Sequence, residues 1–236
     1  LFRSGGFNQE GISVGMQVCW SKDQTFHGIP GMIRTQMVLD HAYSSSKAID
    51  ILTTNRTLGW NYIVSDAEEN RGYAVETTAN YTYVGTDNHP VENIRPFWSI
   101  PDMIRRTNFF IEPTIVSTQR ENYNPSTLSM FFKLLKREDY FFAIWQSYNA
   151  VSKALEKQYG SYTVSSLMDL FRGAYKGNTN FLLRFIISKA EDTSFNHAWN
   201  MWIVHPSTGK FCVSFADHDA IAYDTPVYTY ETSEFF

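Results

Sequence analysis

The feature that most constrains the fold of this chain is a change in its hydrophobic periodicity. Residues 11–19 alternate between polar and apolar positions, and the apolar ones are Ile12, Val14, Met16 and Val18. This period of two predicts a half-buried β-strand with a more polar second face. After the turn at residues 28–31 the apolar spacing becomes helical, and the serines at 44–46 can cap a second helix.

Similar patterns extend through the rest of the chain. Strand patterns occur at residues 61–66, 72–78, 80–84, 198–204, 210–215 and 226–231, and helical patterns at 126–159 and 165–174. The stripe in the first of these helices predicts a packing face, made of Phe141, Trp145, Tyr148, Ser152 and Leu155. Elements that come in blocks favour antiparallel sheets covered by helices over a doubly wound parallel sheet. We therefore predict an α+β fold.

Composition excludes several classes of protein. The chain has 236 residues, 43% of them apolar, and its 20 basic and 24 acidic side chains give a net charge of -4. These values are typical of a globular domain and provide no strong attraction to a phosphate backbone, so no nucleic-acid partner is expected. The longest apolar runs, at 181–187 and 199–204, are too short to span a membrane.

The common catalytic and cofactor motifs are absent from the sequence, including the phosphate-binding loop, the dinucleotide fingerprint, the zinc-protease helix and the serine-hydrolase elbow. Asp217, His218 and Asp219 are grouped, but no second ligand motif accompanies them. We predict a solvated loop there, with no metal and no cofactor, and keep a metal hydrolase as a third hypothesis. Cys19 has no neighbouring base and is predicted to be a small buried residue.

The cellular location is left unknown by the sequence. The chain opens with Leu1 and shows no signal-peptide pattern. Asn55 and Asn80 begin N-glycosylation sequons, which favour a secretory or lysosomal context only weakly because such triplets arise easily by chance.

Three short sequence strings are more informative about function than the hydrophobic spacing is. They are FNQEGISV at residues 7–14, WNYIVSDA at 60–67 with Val75-Glu76 after it, and RTNFF at 106–110. In this order they resemble motifs of the acyl-coenzyme A:6-aminopenicillanate acyltransferase family of N-terminal-nucleophile hydrolases, related more remotely to choloylglycine hydrolases and acid ceramidases. Residues 199–215 are similar to the family's late β-hairpin. The resemblance implies one four-layer αββα sandwich of antiparallel sheets over residues 1–236, lacking its N-terminal strands.

The resemblance also implies an enzyme that acts on the amide C–N bond of an acylated amine or amino acid. An N-terminal cysteine, exposed by autocatalytic processing, would attack the acyl carbon and form a thioester, with its own α-amine as the base. An α-amine has a pKa of about 8 and can accept a thiol proton near neutrality. We expect this cysteine upstream of Leu1, in a segment that is continuous with this chain or forms a separate one.

The string Thr107-Asn108-Phe109-Phe110 is similar to the family's Thr-Asn-His-Phe motif. The resemblance implies that the Asn108 amide stabilises the oxyanion of the tetrahedral intermediate, a role that contributes roughly 3 kcal/mol to lowering a barrier. Thr107 then shapes the site. Phe109 stands where the family usually has histidine, and this departure bears on the local substrate environment.

Arg120 follows the Thr-Asn pair, as an arginine does in ceramidases. It could brace the site, bind a substrate carboxylate through its planar fork, or pair with a surface acid such as Glu121. Gln17 lies near a strand position where relatives often carry a polar, site-facing amide, and the alternation puts it on the polar face of its strand. An alignment shifted by one residue would put Val18 there instead.

Asn196 and His197 precede the late strand at positions where some relatives have Ser-Arg, and they are further candidates for shaping the site. Asn61 belongs to the second string and looks more like a strand-entry residue than a catalytic one. The leading hypothesis is an amide hydrolase or acyltransferase with a small acyl-amide substrate. The alternative is a catalytically silent binding protein that keeps the scaffold without the nucleophile, because function depends on the site and not on the fold.

Overall fold

The structure is a computed structural model that describes residues 5–120, 139–175 and 200–235, with only the backbone of 139–147 and 174–175. The chain divides into two compact units, Leu1–Thr127 and Leu128–Phe236. The single domain expected from the sequence stays a prediction. Asn196, His197 and residues 126–138, the first part of the helical pattern predicted over 126–159, lie outside the described residues. Among the described helices, none is long and apolar enough to cross a bilayer.

The first unit contains a five-stranded antiparallel sheet in which the strands lie in chain order. Its strands are β1 (Gly5–Phe7), β2 (Ile12–Val18), β3 (Trp60–Asp66), β4 (Arg71–Thr77) and β5 (Thr82–Gly85). Each strand pairs with the next one along the chain, so the sheet is a meander. The strands predicted from period-two alternation and β-prone runs in this half of the chain are confirmed.

Two helices, α1 (Gly31–His41) and α2 (Ser45–Thr53), pack on one face of this sheet. The alternation of β2 directs Ile12, Val14 and Met16 towards them, and all three side chains are buried. Ser44 caps α2, because its hydroxyl accepts a hydrogen bond from the Lys47 N–H at 3.2 Å. The two predicted helices and the serine cap are therefore confirmed.

The other face of the sheet carries a line of polar side chains across four strands. Gln17 of β2 lies opposite Asn61 of β3, Asn61 lies opposite Glu76 of β4, and Glu76 lies opposite Tyr83 of β5. Directly opposed residues project from the same face. We call these four residues the polar row.

After β5 the chain forms a short 3-10 helix, Pro90–Asn93, and later one turn of helix, α3 (Pro113–Val116). Between these elements it returns across the polar row. Phe110 and Ile115 pack there against Cys19, Ala74 and Tyr83, and this cluster forms a second, smaller core.

The second unit contains two helices and a three-stranded antiparallel sheet. They are α4 (Asp139–Lys157), α5 (Val164–Tyr175), β6 (Asn200–His205), β7 (Lys210–Phe215) and β8 (Tyr228–Glu231), with the strands in that order. The hairpin between β6 and β7 turns at Gly209, whose φ of 68° is in the left-handed region that glycine adopts readily.

The helical stripe predicted in α4 is a packing face over the part that is described: Tyr148, Ser152 and Leu155 are buried. The side chains of Phe141 and Trp145 lie outside the described set. Both sheets are antiparallel and both units contain helices, so the predicted α+β fold with antiparallel sheets is confirmed.

Candidate active site

Three residues of the polar row, Asn61, Glu76 and Tyr83, are buried although they carry polar groups, and Gln17 is half-buried. Asn61 and Glu76 are completely inaccessible to solvent. The side-chain oxygens Gln17 Oε1 and Asn61 Oδ1 are also buried, and neither has a hydrogen-bond partner among the described residues. A buried oxygen without a donor destabilises the fold by about 1–3 kcal/mol, so buried polar groups left in this state need a reason.

Residues 106–112 lie on the polar row and are bound to it through their main chain. We call them the return segment. The Asn61 Nδ2 donates to the carbonyl oxygens of Thr107 and Phe109, at 2.7 Å in each case. The Gln119 side-chain oxygen accepts a hydrogen bond from the Phe110 N–H. These side chains therefore fix the path of the segment that contains Asn108.

Asn108 is half-buried at the centre of this segment. Its Nδ2 donates to the carbonyl oxygen of Val18, the last residue of β2, at 2.9 Å. A side-chain amide nitrogen carries two hydrogens. The bond to Val18 orients the amide and leaves the second hydrogen for a ligand.

Glu76 and Arg106 form the charged part of the site. Arg106 Nε lies 2.9 Å from Glu76 Oε1, and its Nη atoms donate to Glu92 at 2.8 and 2.5 Å. The Glu76 carboxylate also accepts hydrogen bonds from the N–H groups of Ile111 and Glu112, all at 3.1 Å. These bonds join the return segment to β4.

Burial raises the pKa of the Glu76 carboxyl above its ordinary value, and the neighbouring Glu92 acts in the same direction. Arg106 and the main-chain donors of Ile111 and Glu112 oppose this shift because they stabilise the charged form. The effect of burial is larger, so the charged form of Glu76 is less stable here than it would be in water.

Cys19 lies just beyond β2 with 1% of its surface exposed. Its thiol donates to the Thr107 carbonyl oxygen at 3.5 Å. Burial raises the pKa of this thiol well above its ordinary value, and the charge of Glu76 raises it further. A thiol in this state is a weak nucleophile, which agrees with the interpretation of Cys19 as a structural residue.

Arg120 binds the loop that follows β2. Its Nε donates to the Ser21 carbonyl oxygen at 3.1 Å, its Nη2 donates to the Gln24 side chain at 2.9 Å, and its guanidinium lies 5.9 Å from the Trp20 ring centre. Of the three roles considered for it, these contacts fit a brace. The acid Glu121 lies outside the described residues.

Phe109 is a core residue. Only 1% of its surface is exposed, and its ring centre lies 5.7 Å from that of Phe97. Asp217, His218 and Asp219 are exposed in a turn, and nowhere among the described residues do three potential ligands come together to hold a metal ion.

Comparison with known proteins identifies the family. The sequence model of the acyl-coenzyme A:6-aminopenicillanic acid acyl-transferase family matches residues 3–164, more than half of the chain. The chain belongs to this family. No curated protein matches it.

Two solved structures similar to this family member are a mutant and a second variant of the conjugated bile acid hydrolase from Clostridium perfringens. The first has a TM-score of 0.40 and 11% sequence identity, over 99% of this chain and 73% of the other. The second has a TM-score of 0.38 and 11% identity, over 97% and 76%.

The motif strings assign a role to Asn108 in this family member but not to the residues that hold it. Asn61, Glu76 and Arg106 stand within those strings with no catalytic role assigned, and Glu92 and Gln119 lie outside them. One signal was present: Asn61 and Glu76 each interrupt an apolar strand on the face away from the helices. Their partners could not be named, because strand register is not visible in sequence.

Proposed function

We propose that this protein hydrolyses or transfers the acyl group of a linear amide, an acylated amine or amino acid, through a thioester on an N-terminal cysteine upstream of Leu1. Membership of the acyl-transferase family supports an amide hydrolase or acyltransferase of the N-terminal-nucleophile type. The observation that carries the proposal is the geometry of Asn108. Its side-chain amide donates one hydrogen bond to the Val18 carbonyl oxygen, and Asn61 binds the main-chain carbonyl oxygens on both sides of it.

In the proposed reaction the α-amine of the cysteine takes the thiol proton, and the sulfur attacks the acyl carbon. The carbonyl oxygen becomes an oxyanion, and the second Nδ2 hydrogen of Asn108 donates to it. The C–N bond then breaks, the protonated α-amine returns the proton to the leaving amine, and a thioester remains. Water or a second amine attacks the thioester and releases the acid or the new amide.

The other candidate residues have different parts in this proposal. Gln17 offers a buried amide oxygen that could accept a hydrogen bond from the substrate N–H. Arg120 does not touch the reacting atoms and holds the loop of residues 20–24 beside the site. Thr107 shapes the segment through its carbonyl oxygen, which accepts bonds from Asn61 and Cys19.

The two cysteines of the chain support a nucleophile located elsewhere. Both are buried, and burial raises the pKa of each thiol above its ordinary value. A nucleophilic cysteine needs a readily formed thiolate and an open path to the substrate. Neither Cys19 nor Cys212 meets these conditions.

The decisive experiment uses the protein extended upstream through the expected cysteine and a panel of N-acyl amines. We expect release of the amine, and a peptide mass raised by the acyl group at the N-terminal cysteine. Asn108→Ala should lower kcat by about 10²- to 10³-fold with little change in KM, as for removal of other oxyanion donors. Asn88→Ala, at an exposed position, is the matched control.

An unchanged kcat in Asn108→Ala would contradict the proposed role of Asn108. An extended protein that binds acyl amines but forms no acyl-cysteine would support the catalytically silent binding protein instead. The intact mass of the purified protein shows whether the upstream segment is continuous with this chain or separate from it.

A further inference from the structure

Asn61 uses both hydrogens of its side-chain amide on the segment that carries Asn108. Its Nδ2 lies 2.7 Å from the Thr107 carbonyl oxygen and 2.7 Å from the Phe109 carbonyl oxygen. These carbonyls belong to the residues immediately before and after Asn108. The two bonds therefore fix the main chain on both sides of Asn108, and with it the direction of its Cα–Cβ bond.

A third hydrogen bond that holds Asn108 is made at the end of β2, the strand that pairs with β3. Its own amide donates to the Val18 carbonyl oxygen, and Val18 pairs with Trp60, the neighbour of Asn61. The main chain and the side chain of Asn108 are therefore both held by the same end of the β2–β3 pair. A donor fixed in this way keeps its direction when charge develops on a bound substrate.

Asn61 donates two hydrogen bonds through its side chain, but its side-chain oxygen accepts none in the part of the chain that the structure describes. The residue is fully buried. An apolar residue of similar size would avoid this unpaired oxygen. Asparagine is favoured at this position if the two hydrogen bonds that it donates stabilise residues 107–109 by more than its unpaired oxygen destabilises the fold.

We propose that Asn61 is a positioning residue that acts on the reaction through Asn108. This inference rests on the proposed function, because it requires Asn108 to stabilise the oxyanion. Asn61 itself does not touch the reacting atoms.

The test replaces Asn61 with aspartate in the extended protein and compares it with Asp66→Asn at the other end of the same strand. Asp66 is also buried, and it binds the main-chain N–H groups of Ser45, Glu68 and Glu69. Both exchanges preserve shape and remove one kind of buried bond. We expect Asn61→Asp to lower kcat about 10- to 100-fold with KM nearly unchanged, because small misplacements have effects of this size.

Asp66→Asn should lower the melting temperature and leave kcat within about twofold, since its bonds lie outside the site. If both variants lose stability to a similar extent and only Asn61→Asp loses kcat, a purely structural role for Asn61 is excluded. If Asn61→Asp fails to fold, Asn61→Ser, which keeps one donor and carries no charge, takes its place with a smaller expected loss.

A double-mutant cycle with Asn108→Ala separates the possible failures. If Asn61 acts through Asn108, the Asn61 exchange should cause no further loss of kcat once Asn108 is alanine. Equal losses in both backgrounds would overturn the inference and leave the proposed function intact. Full activity of Asn108→Ala alone would overturn the oxyanion role of Asn108 and with it this inference, whereas an extended protein that forms no acyl-cysteine and releases no amine would overturn the proposed function.

Discussion

Cys19 illustrates at the scale of one residue why chemical identity alone does not mark a nucleophile. Its thiol is enclosed by the second core of the first unit and donates to a main-chain oxygen. Burial and the nearby charge of Glu76 raise its pKa, so the reactive thiolate is disfavoured twice. The side chain therefore serves packing and the anchoring of Thr107.

This environment predicts slow alkylation of Cys19. In the native protein at pH 8, iodoacetamide should modify Cys19 at least about tenfold more slowly than in urea, because both access and thiolate formation are suppressed. Peptide mass spectrometry after timed quenching measures the two rates. In the extended protein the upstream cysteine should react first, and native labelling of Cys19 at the unfolded rate would contradict its assignment as a structural residue.

Asn108 could be found from the sequence because a short local string contains it. The residues that hold it come from far away in the chain, since Asn61 lies 46 residues before Thr107 and Val18 lies 90 residues before Asn108. Contacts over such separations depend on strand register and on the path of a loop. Neither is encoded in a periodicity, so the sequence predicts Asn61 only as a strand-entry residue.

At the scale of elements, the return segment is attached to β4 by Glu76. This carboxylate binds two main-chain N–H groups and the guanidinium of Arg106 within a buried environment. Its raised pKa has a definite consequence for stability. Between the pKa of the unfolded chain, about 4.5, and the higher folded value, the folded protein binds more protons, so this contribution to stability is present at low pH and falls as pH rises.

Glu76→Gln should reveal this dependence. The variant replaces one acceptor oxygen by a donor that faces other donors, so its free energy of unfolding should be about 2 kcal/mol lower. The difference from the parent protein should be largest near pH 4.5 and shrink as pH rises, because glutamine does not titrate. Urea unfolding followed by circular dichroism between pH 4.5 and 8 measures the difference.

Glu68→Gln is the control for this series, since Glu68 is exposed at the turn after β3. Because this side chain is exposed, the exchange should change the free energy of unfolding by no more than about 0.5 kcal/mol. A difference between parent and Glu76→Gln that grows with pH would mean that Arg106 and the main-chain donors outweigh burial, and that the direction of the Glu76 shift is wrong.

For the whole molecule, blocks of periodicity were sufficient to predict antiparallel sheets. A meander needs only local connections, so chain order and spatial order coincide in the first sheet, and the turn residues between strands are visible in the sequence. The two compact units were not predicted. A boundary between units depends on where contacts become sparse, and no change of composition marks residue 127.

The first unit has its own apolar core, and we expect a fragment that ends at Thr127 to unfold cooperatively in urea. A fragment that ends at Gly85 keeps the whole five-stranded sheet but lacks Arg106 and the main-chain partners of Asn61 and Glu76. It should be less stable by at least about 3 kcal/mol, because Phe110 and Ile115 no longer pack against Cys19, Ala74 and Tyr83 and the second core is lost. Equal urea midpoints by far-ultraviolet circular dichroism would show that the return segment contributes little to the fold.

From Thr107 to Glu112 the return segment is held through its main chain, which binds the side chains of Asn61, Glu76 and Gln119. Asn61, Gln119 and Glu76 would make the same bonds whatever residue occupied position 107 or 109. The side chains at these two positions can therefore vary while the amide of Asn108 stays in place. Phe109, where the family motif usually has histidine, is such a replacement inside the core, and it keeps the main-chain bond to Asn61.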